Sequence, residues 1–167
     1  APLYGIDRDE DATRAAGERL KGYPGFHAIH GNFHDAKALL AAAGAPPLTG
    51  ALLDLGVSSH QLDEGERGFS YHEDAPLDMR MDQSTGLTAA EYLAQVTPEE
   101  FRRILTDYGE EKWAARIAQI FAEKRAQKPI ETTADLVAVV DAAIPKAVRR
   151  KDDGHPARRT FQAVRIA

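Results

Sequence analysis

Two carboxylates in this sequence follow short apolar segments, where α/β proteins commonly place residues that bind ligands. Asp54 ends the apolar run 51–53 and is followed by a turn of small residues up to Ser59. Asp7 ends an apolar segment near the start of the chain and precedes a helical pattern. An acid at the end of a parallel strand lies at the sheet edge where cofactors bind and can accept hydrogen bonds from ribose hydroxyls. Both acids are therefore candidate site residues.

The elements that must position these acids alternate between strand and helix. The pattern predicts strands over 3–7, 26–30 and 49–54, separated by helices over 9–20 and 34–43. Gly44 is the expected C-terminal cap of the second helix. Alternation of this kind predicts a parallel sheet of doubly wound type, and hence an α/β fold.

A long loop follows Asp54 and has neither a helical nor a strand period. Long irregular loops in compact domains are usually functional or disordered. This loop carries too many large apolar side chains for disorder. They are Phe69, Tyr71, Leu77, Met79 and Met81.

The second half of the sequence has a helical pattern. Capping boxes are predicted to begin helices at Thr88 and Thr97, and a further helix is predicted to start at Thr132. Further helices are expected over 101–108, 110–127 and 158–166, and Trp113 is expected in their core. The predicted organisation is an α/β part over 1–85, a helical part over 86–157 and the start of another helix over 158–167.

The composition excludes several classes of protein. The 167 residues suffice for one domain, with or without a small additional lobe, and 43% of them are hydrophobic. Absence of cysteine excludes disulfides and thiolate metal sites, and fits a cytoplasmic protein. The histidines lack a recognisable ligand framework, so no metal is expected. No apolar run approaches the roughly 18 residues of a membrane helix.

Charge is distributed unevenly along the chain. The net charge is −5, but residues 146–167 contain seven Lys or Arg and two Asp, a net charge of +5. The other 145 residues therefore carry −10. A local basic segment can bind phosphate on an acidic protein, although a solvated helix end gives the same pattern.

Three motifs, in this order and spacing, resemble the bacterial 16S ribosomal RNA cytosine-N4 methyltransferases, which use S-adenosylmethionine. They are DLGVSS-x-QLD from Asp54, ERGFS from Glu66 and PLDMRMD from Pro76. The resemblance implies a class I, Rossmann-like methyltransferase core with an all-helical inserted lobe. The family's Gly-rich loop and last strands are absent from this sequence, so the core is expected to be incomplete and the fragment inactive by itself.

The resemblance also implies which residues hold the cofactor. The segment Gly-Ile-Asp-Arg-Asp that contains Asp7 matches the family's cofactor segment. Phe33 would lie against the adenine, although the commoner fate of a Phe is the core. Asp54 and Gln61 match the remaining cofactor contacts. Asp54 is also the candidate catalytic acceptor for a proton of the cytosine amine, since positive charge develops on that nitrogen during transfer.

Substrate contacts are expected on 16S ribosomal RNA of the small subunit. Three arginines in the segment 155–166 could bind phosphates or could instead pair with the acidic loop around Asp74, Asp78 and Asp82. They are Arg158, Arg159 and Arg165. Ser58 and Ser59 are either turn formers or substrate contacts.

Two other functions remain open at this point. An enzyme of the same fold could methylate DNA or another amine, and a non-catalytic module could bind RNA or protein. The sequence gives no indication of the oligomeric state.

Overall fold

A computed structural model describes residues 1–149 and 154–167 of this mixed α/β chain, which divides into two compact units. Unit 1 contains residues 1–56 and 81–85. Unit 2 contains residues 57–80 and the described part of 86–167. Most of the long loop therefore belongs with the helices rather than with the predicted α/β part, and so does the segment predicted to return to a core.

Unit 1 contains a parallel pair of strands connected by a helix. Strand β1 (Leu3–Asp7) pairs with β2 (Phe26–His30), in a register that places Asp7 opposite His30. Both strands have the predicted bounds. Helix α1 (Glu10–Arg19) connects them and packs against β2. The predicted strand–helix–strand order is thus confirmed for this part of the chain.

Local capping explains where the helices of unit 1 begin and end. The Asp9 carboxylate accepts a hydrogen bond from the Asp11 N–H and caps α1. A short 3₁₀ turn (Phe33–Asp35) leads into α2 (Ala36–Ala42). Gly44 follows with φ of +68° and its N–H bonds back to the helix, which confirms the predicted cap.

The predicted third strand, Thr49–Asp54, is not formed. Its backbone is irregular, and the sheet consists of β1 and β2 alone in the described residues. Leu52 is 94% exposed and Leu53 is 63% exposed. An apolar sequence favours a strand only if a neighbouring strand offers hydrogen bonds, and here none pairs with this segment.

Hydrophobic burial is confined to unit 2. All buried hydrophobic residues in the described structure lie at or after Phe69, and none lies in 1–56. Parallel sheets normally have both faces covered. Unit 1 therefore leaves apolar surface open to solvent, including the side chains of Leu48, Leu52, Leu53 and Leu55.

Unit 2 begins with the long loop, which contains a short helix and a 3₁₀ turn, and continues with longer helices. Its elements are α3 (Ser59–Asp63), the 3₁₀ turn Gly65–Arg67, α4 (Ala89–Gln95), α5 (Pro98–Asp107), α6 (Ala114–Gln127), α7 (Thr133–Ala143), the 3₁₀ turn Lys146–Val148 and α8 (Arg158–Ile166).

The core of unit 2 lies where α6 packs against α5 and α7. The rings of Phe101 and Phe121 lie 4.2 Å apart between α5 and α6. Arg125 covers the Phe121 ring and donates to the carbonyls of Leu93 and Val96, at 2.7 and 2.6 Å. A cation at the end of α4 satisfies carbonyls that have no partner within the helix.

All three helices begin at their predicted caps, Thr88, Thr97 and Thr132. A reciprocal capping box forms at Thr88, as predicted, and another forms at Thr132, where a helix start was predicted. Thr97 caps α5 through its hydroxyl, whereas the Glu100 side chain binds Arg103 rather than closing the box.

The helix predicted over 110–127 begins later, at Ala114. Glu110 has a φ of +49°, which lies outside the helical region. A turn therefore precedes α6.

Candidate functional site

The end of β1 holds Asp7 at the carboxyl edge of the sheet. Its Oδ1 atom accepts a hydrogen bond of 2.8 Å from the Asp9 N–H, while the carboxylate itself is exposed. Asp9 is buried because it caps α1. The turn from strand to helix therefore fixes the Asp7 carboxylate and leaves it open to a ligand.

The end of the neighbouring strand, β2, places an aromatic ring near the same edge. Asn32 follows β2 and its side chain accepts a hydrogen bond from the His34 N–H, which starts the 3₁₀ turn. Phe33 is 58% exposed, which excludes the core position. Since β1 and β2 are parallel and in register, Asp7 and Phe33 follow strand ends at one edge of the sheet.

Asp82, from the PLDMRMD motif, reaches this edge as well. Its Oδ2 lies 3.7 Å from His30 Nε2, and its Oδ1 accepts from the Ser84 hydroxyl and backbone N–H. The hydrogen bond from the Ser84 side chain lowers the pKa of Asp82. Sequence reasoning missed this pairing because 52 positions separate the two residues.

Asp54 is exposed and lies in the irregular segment that was predicted to be a strand. No ladder of hydrogen bonds holds its backbone. The structure therefore does not place this carboxylate at a strand end, in contrast to Asp7.

Ser58 and Gln61 form a capping box at the start of α3. The Ser58 hydroxyl accepts from the Gln61 N–H at 3.2 Å, and the Gln61 Oε1 accepts from the Ser58 N–H at 3.0 Å. Gln61 is buried, and Ser59 is the first residue of the helix. The Ser-x-x-Gln spacing is a recognisable signal of this arrangement that the sequence analysis overlooked.

The ERGFS and PLDMRMD motifs cross each other within unit 2. Gly68 has a φ of +70°, and a Cβ atom there would lie 2.3 Å from the Pro76 carbonyl oxygen. The Arg67 guanidinium donates to the Arg80 carbonyl at 3.2 Å. Only glycine permits this close approach of two backbones.

Asp78 and Arg80 stiffen the second of these motifs. The Arg80 guanidinium donates two hydrogen bonds of 2.8 Å to the Asp78 carboxylate and lowers its pKa. The Asp78 carbonyl accepts from the Ala89 N–H at the start of α4. Residues 57–80 of the loop thus form an ordered part of unit 2.

The three candidate arginines near the C-terminal end have different surroundings. Arg159 donates to the Glu110 carbonyl, and Arg165 donates to the Phe69 carbonyl at 3.3 Å. Burial lowers the pKa of Arg165. Arg158 is exposed, with no ion pair in residues 1–149 and 154–167.

The alternative of pairing with the acidic loop is not observed for these three arginines among the described residues. Asp78 binds Arg80 instead, and Asp74 accepts from the Ala134 N–H. Arg150, Lys151, Asp152 and Asp153, which belong to the predicted basic segment, lie outside the described residues.

The described residues contain neither a group of metal ligands nor a membrane-spanning helix. In the described ranges, no three His, Asp or Glu side chains are grouped so that they could hold a metal ion. Across the same ranges, no helix is both long and apolar enough to cross a membrane.

The two parallel strands and the helix between them make this a mixed α/β protein, with an acid and an exposed aromatic at the carboxyl edge of its small sheet. Residues 1–167 match the MraW methylase family, and the chain belongs to this family.

Individual relatives agree with this family. The chain is 53% identical over 166 residues to ribosomal RNA small subunit methyltransferase H of Symbiobacterium thermophilum, covering 99% of this chain and 52% of the relative. The protein of the same name from Clostridioides difficile is 50% identical over 165 residues, or 98% of this chain and 53% of the relative. The chain thus spans about half the length of the curated relatives it matches.

Proposed function

We propose that these residues form part of a longer methyltransferase that transfers a methyl group from S-adenosylmethionine to N4 of a cytidine in 16S ribosomal RNA. The observation that carries this proposal is the match to relatives named ribosomal RNA small subunit methyltransferase H over 99% of the chain. The choice of N4 as the methylated atom and of cytosine as the base rests on the motifs that resemble the cytosine-N4 enzymes.

The residues at the edge of unit 1 fit the proposed cofactor. Asp7 offers a carboxylate that is held by the Asp9 N–H and exposed, as an acceptor for two ribose hydroxyls requires. Phe33 offers an exposed ring for the adenine. Bound S-adenosylmethionine supplies an electrophilic methyl group. Gln61 and Asp54 are assigned as further cofactor contacts by the resemblance.

The open apolar surface of unit 1 supports an incomplete class I, Rossmann-like core. A two-stranded parallel sheet with no buried hydrophobic residue does not account for its own stability. Further strands of a longer protein would cover this surface and give the apolar run 51–53 a partner. Under this proposal, the helices of residues 86–157 are a lobe inserted into that core.

Asp54 is the candidate acceptor for the cytosine amine proton. The amine must face the methyl group in line, and a carboxylate stabilises the positive charge that develops on nitrogen. In the longer protein, Asp54→Asn separates the two roles of this residue. If Asp54 is the catalytic acceptor, the substitution lowers kcat and leaves the Kd of the cofactor nearly unchanged. If Asp54 is a cofactor contact, the substitution raises that Kd.

The RNA side of the proposal rests on the basic end of unit 2. Arg158 is exposed, and Arg159 is exposed with one N–H bonded to a carbonyl. Both can present N–H groups to phosphate oxygens. The burial of Arg165 and its bond to Phe69 favour a structural role for that residue. Ser58 caps α3, so Ser59 is the better candidate for a substrate contact.

Transfer of a labelled methyl group tests the proposed function. The longer protein is incubated with tritiated S-adenosylmethionine and either small ribosomal subunits, single-stranded DNA or neither. Label in 16S RNA alone supports the proposal. Label in DNA favours the DNA enzyme, and absence of label despite RNA binding favours a non-catalytic module; either result rejects the proposal.

A further inference from the structure

The prediction that Trp113 lies in the helical core is wrong, because this side chain is partly exposed. It is the only tryptophan of the chain and 36% of it is accessible to solvent. Tryptophan is usually well buried, and its N–H group usually finds a partner when it is. Across residues 1–149 and 154–167 no hydrogen bond of the indole N–H is found. Such an arrangement is typical of a binding surface.

A constrained turn holds Trp113 in this position. Glu110 has a φ of +49°, an uncommon conformation for a residue other than glycine, and its carbonyl accepts from Arg159. Glu111 is buried and its carboxylate accepts from the backbone N–H of Trp113 at 3.0 Å. Two hydrogen bonds to residues 110 and 111 therefore hold the turn in which Trp113 precedes α6.

The indole forms one wall of a half-open cavity within unit 2, which we call the Trp113 pocket. The cavity has a volume of about 120 Å³. Its apolar wall consists of Trp113, Ile144, Val148 and Pro156. Pockets that enclose drug-sized ligands measure about 300–1,000 Å³, so this pocket suits a single planar ring system rather than a whole cofactor.

Cationic groups surround the apolar wall. Arg149 is held by the Asp141 carboxylate and donates to the Ile144 carbonyl at 2.8 Å. Arg159 is held by the Glu110 carbonyl. Lys112 is exposed and has no ion pair in the described residues. Two fixed guanidinium groups and one exposed ammonium group thus border an aromatic wall.

This chemistry matches an unpaired nucleotide. Proteins bind single-stranded nucleic acid by stacking bases on aromatic side chains beside a cationic track for the phosphates. We propose that the Trp113 pocket binds an unpaired base of the RNA, stacked on Trp113, with an adjacent phosphate on Lys112 and Arg159. This inference rests on the proposed function for the identity of RNA as ligand, and adds a contact outside the residues assigned to cofactor or catalysis.

The single tryptophan makes the proposal directly measurable. A short single-stranded oligocytidine is titrated into the 167-residue chain while tryptophan fluorescence and the anisotropy of a label on the RNA are recorded together. Stacking predicts quenching of Trp113 that follows the same binding curve as the anisotropy. Binding without a fluorescence change, or absence of binding, would overturn the proposal.

Variants test the same contact without relying on fluorescence. Trp113→Ala should weaken binding about 5- to 100-fold, and Trp113→Phe should restore part of the loss because it keeps an aromatic face. Tyr108→Ala is the matched control, since Tyr108 is 44% exposed in unit 2 and lies outside the pocket lining. Equal effects of Trp113→Ala and Tyr108→Ala would reject the pocket.

The phosphate contact has its own measurement. Lys112→Ala should reduce the slope of log K against log salt by about 0.7, the value for one phosphate on a single strand. Lys21→Ala removes the same charge in unit 1 and should leave the slope unchanged. Failure of these pocket tests while methyl transfer to 16S RNA proceeds would reject the pocket and leave the proposed function intact.

Discussion

Short-range hydrogen bonds in the turns after β1 and β2 hold Asp7 and Phe33 in position. The Asp9 N–H holds the Asp7 carboxylate, and Asn32 begins the turn that contains Phe33. The place of Asp7 at the end of a strand was predicted from the sequence, because the strand pattern is local. The exposure of Trp113 could not be predicted, because the turn before α6 involves a bond between Glu110 and Arg159, which are 49 positions apart.

The role assigned to Asp7 gives the first prediction. In the longer protein, Asp7→Asn should weaken S-adenosylmethionine binding by about 1.5–3 kcal/mol, since it removes a charge-assisted acceptor. Asparagine retains an oxygen for the Asp9 N–H, so folding should change less. Isothermal calorimetry measures the affinity. Asp11→Asn removes the same charge at the start of α1 and serves as the control; equal losses for both variants would contradict the role of Asp7.

His155 gives a pH-dependent prediction. Its ring stacks on Tyr71 at 4.5 Å, and its Nδ1 accepts from the Ala157 N–H at 3.2 Å. Burial lowers the pKa of His155, so the folded state favours the neutral ring. Its contribution to stability is therefore complete above the ordinary pKa of about 6.5 and is lost as pH falls through the lowered pKa.

Urea unfolding at pH 7.5 and pH 5 measures this effect. The wild type should lose more stability between these pH values than His155→Asn does. His34→Asn removes an exposed histidine from unit 1 and should retain the wild-type pH dependence. Identical pH dependence in the wild type and His155→Asn would show that His155 is not responsible.

At the scale of elements, prediction succeeded where the signals are local and failed where partners are distant. The strands 3–7 and 26–30 and the helix starts at Thr88 and Thr132 follow from neighbouring residues. The segment 49–54 has the composition of a strand, but a strand needs a partner.

The order of the long loop also depends on distant contacts. The Thr133 hydroxyl donates to the Glu73 carbonyl at 2.6 Å and accepts from the Ala75 N–H at 3.0 Å. About 60 positions separate these residues. Apolar content predicted that the loop is ordered, but nothing in a local pattern predicts where it packs.

The crossing of the two loop motifs at Gly68 supplies an element-scale prediction. Gly68→Ala should lower the free energy of unfolding by well over 1 kcal/mol, because the added Cβ meets backbone atoms and a positive φ disfavours alanine. Gly86→Ala is a matched control: its φ is +78°, but a Cβ there has nothing within 4 Å. Thermal unfolding should show a clearly larger loss for Gly68→Ala, and similar losses would contradict the steric argument.

The two units of the molecule differ in how much apolar surface they bury. Unit 2 contains the buried hydrophobic residues of the described structure, whereas residues 1–56 contain none. The sequence predicted an α/β and a helical part, but local patterns could not show that residues 57–80 pack with the helices. Unit 2 should therefore be more stable than unit 1.

Hydrogen exchange followed by mass spectrometry tests this inequality. In the 167-residue chain, amides of α5, α6 and α7 should exchange slowly, and those of β1, α1 and β2 should exchange much faster. In the longer protein, the amides of unit 1 should become protected. Equal protection of both units in the shorter chain would contradict the account of an incomplete core.

Identification of the methylated nucleoside tests directly whether the longer protein methylates N4 of a cytidine in 16S RNA. Small ribosomal subunits are treated with S-adenosylmethionine and either the longer protein or this 167-residue chain, and the RNA is digested and analysed by mass spectrometry. We expect N4-methylcytidine with the longer protein and none with the 167-residue chain. A different methylated nucleoside, or no methylated nucleoside with the longer protein, would contradict this expectation.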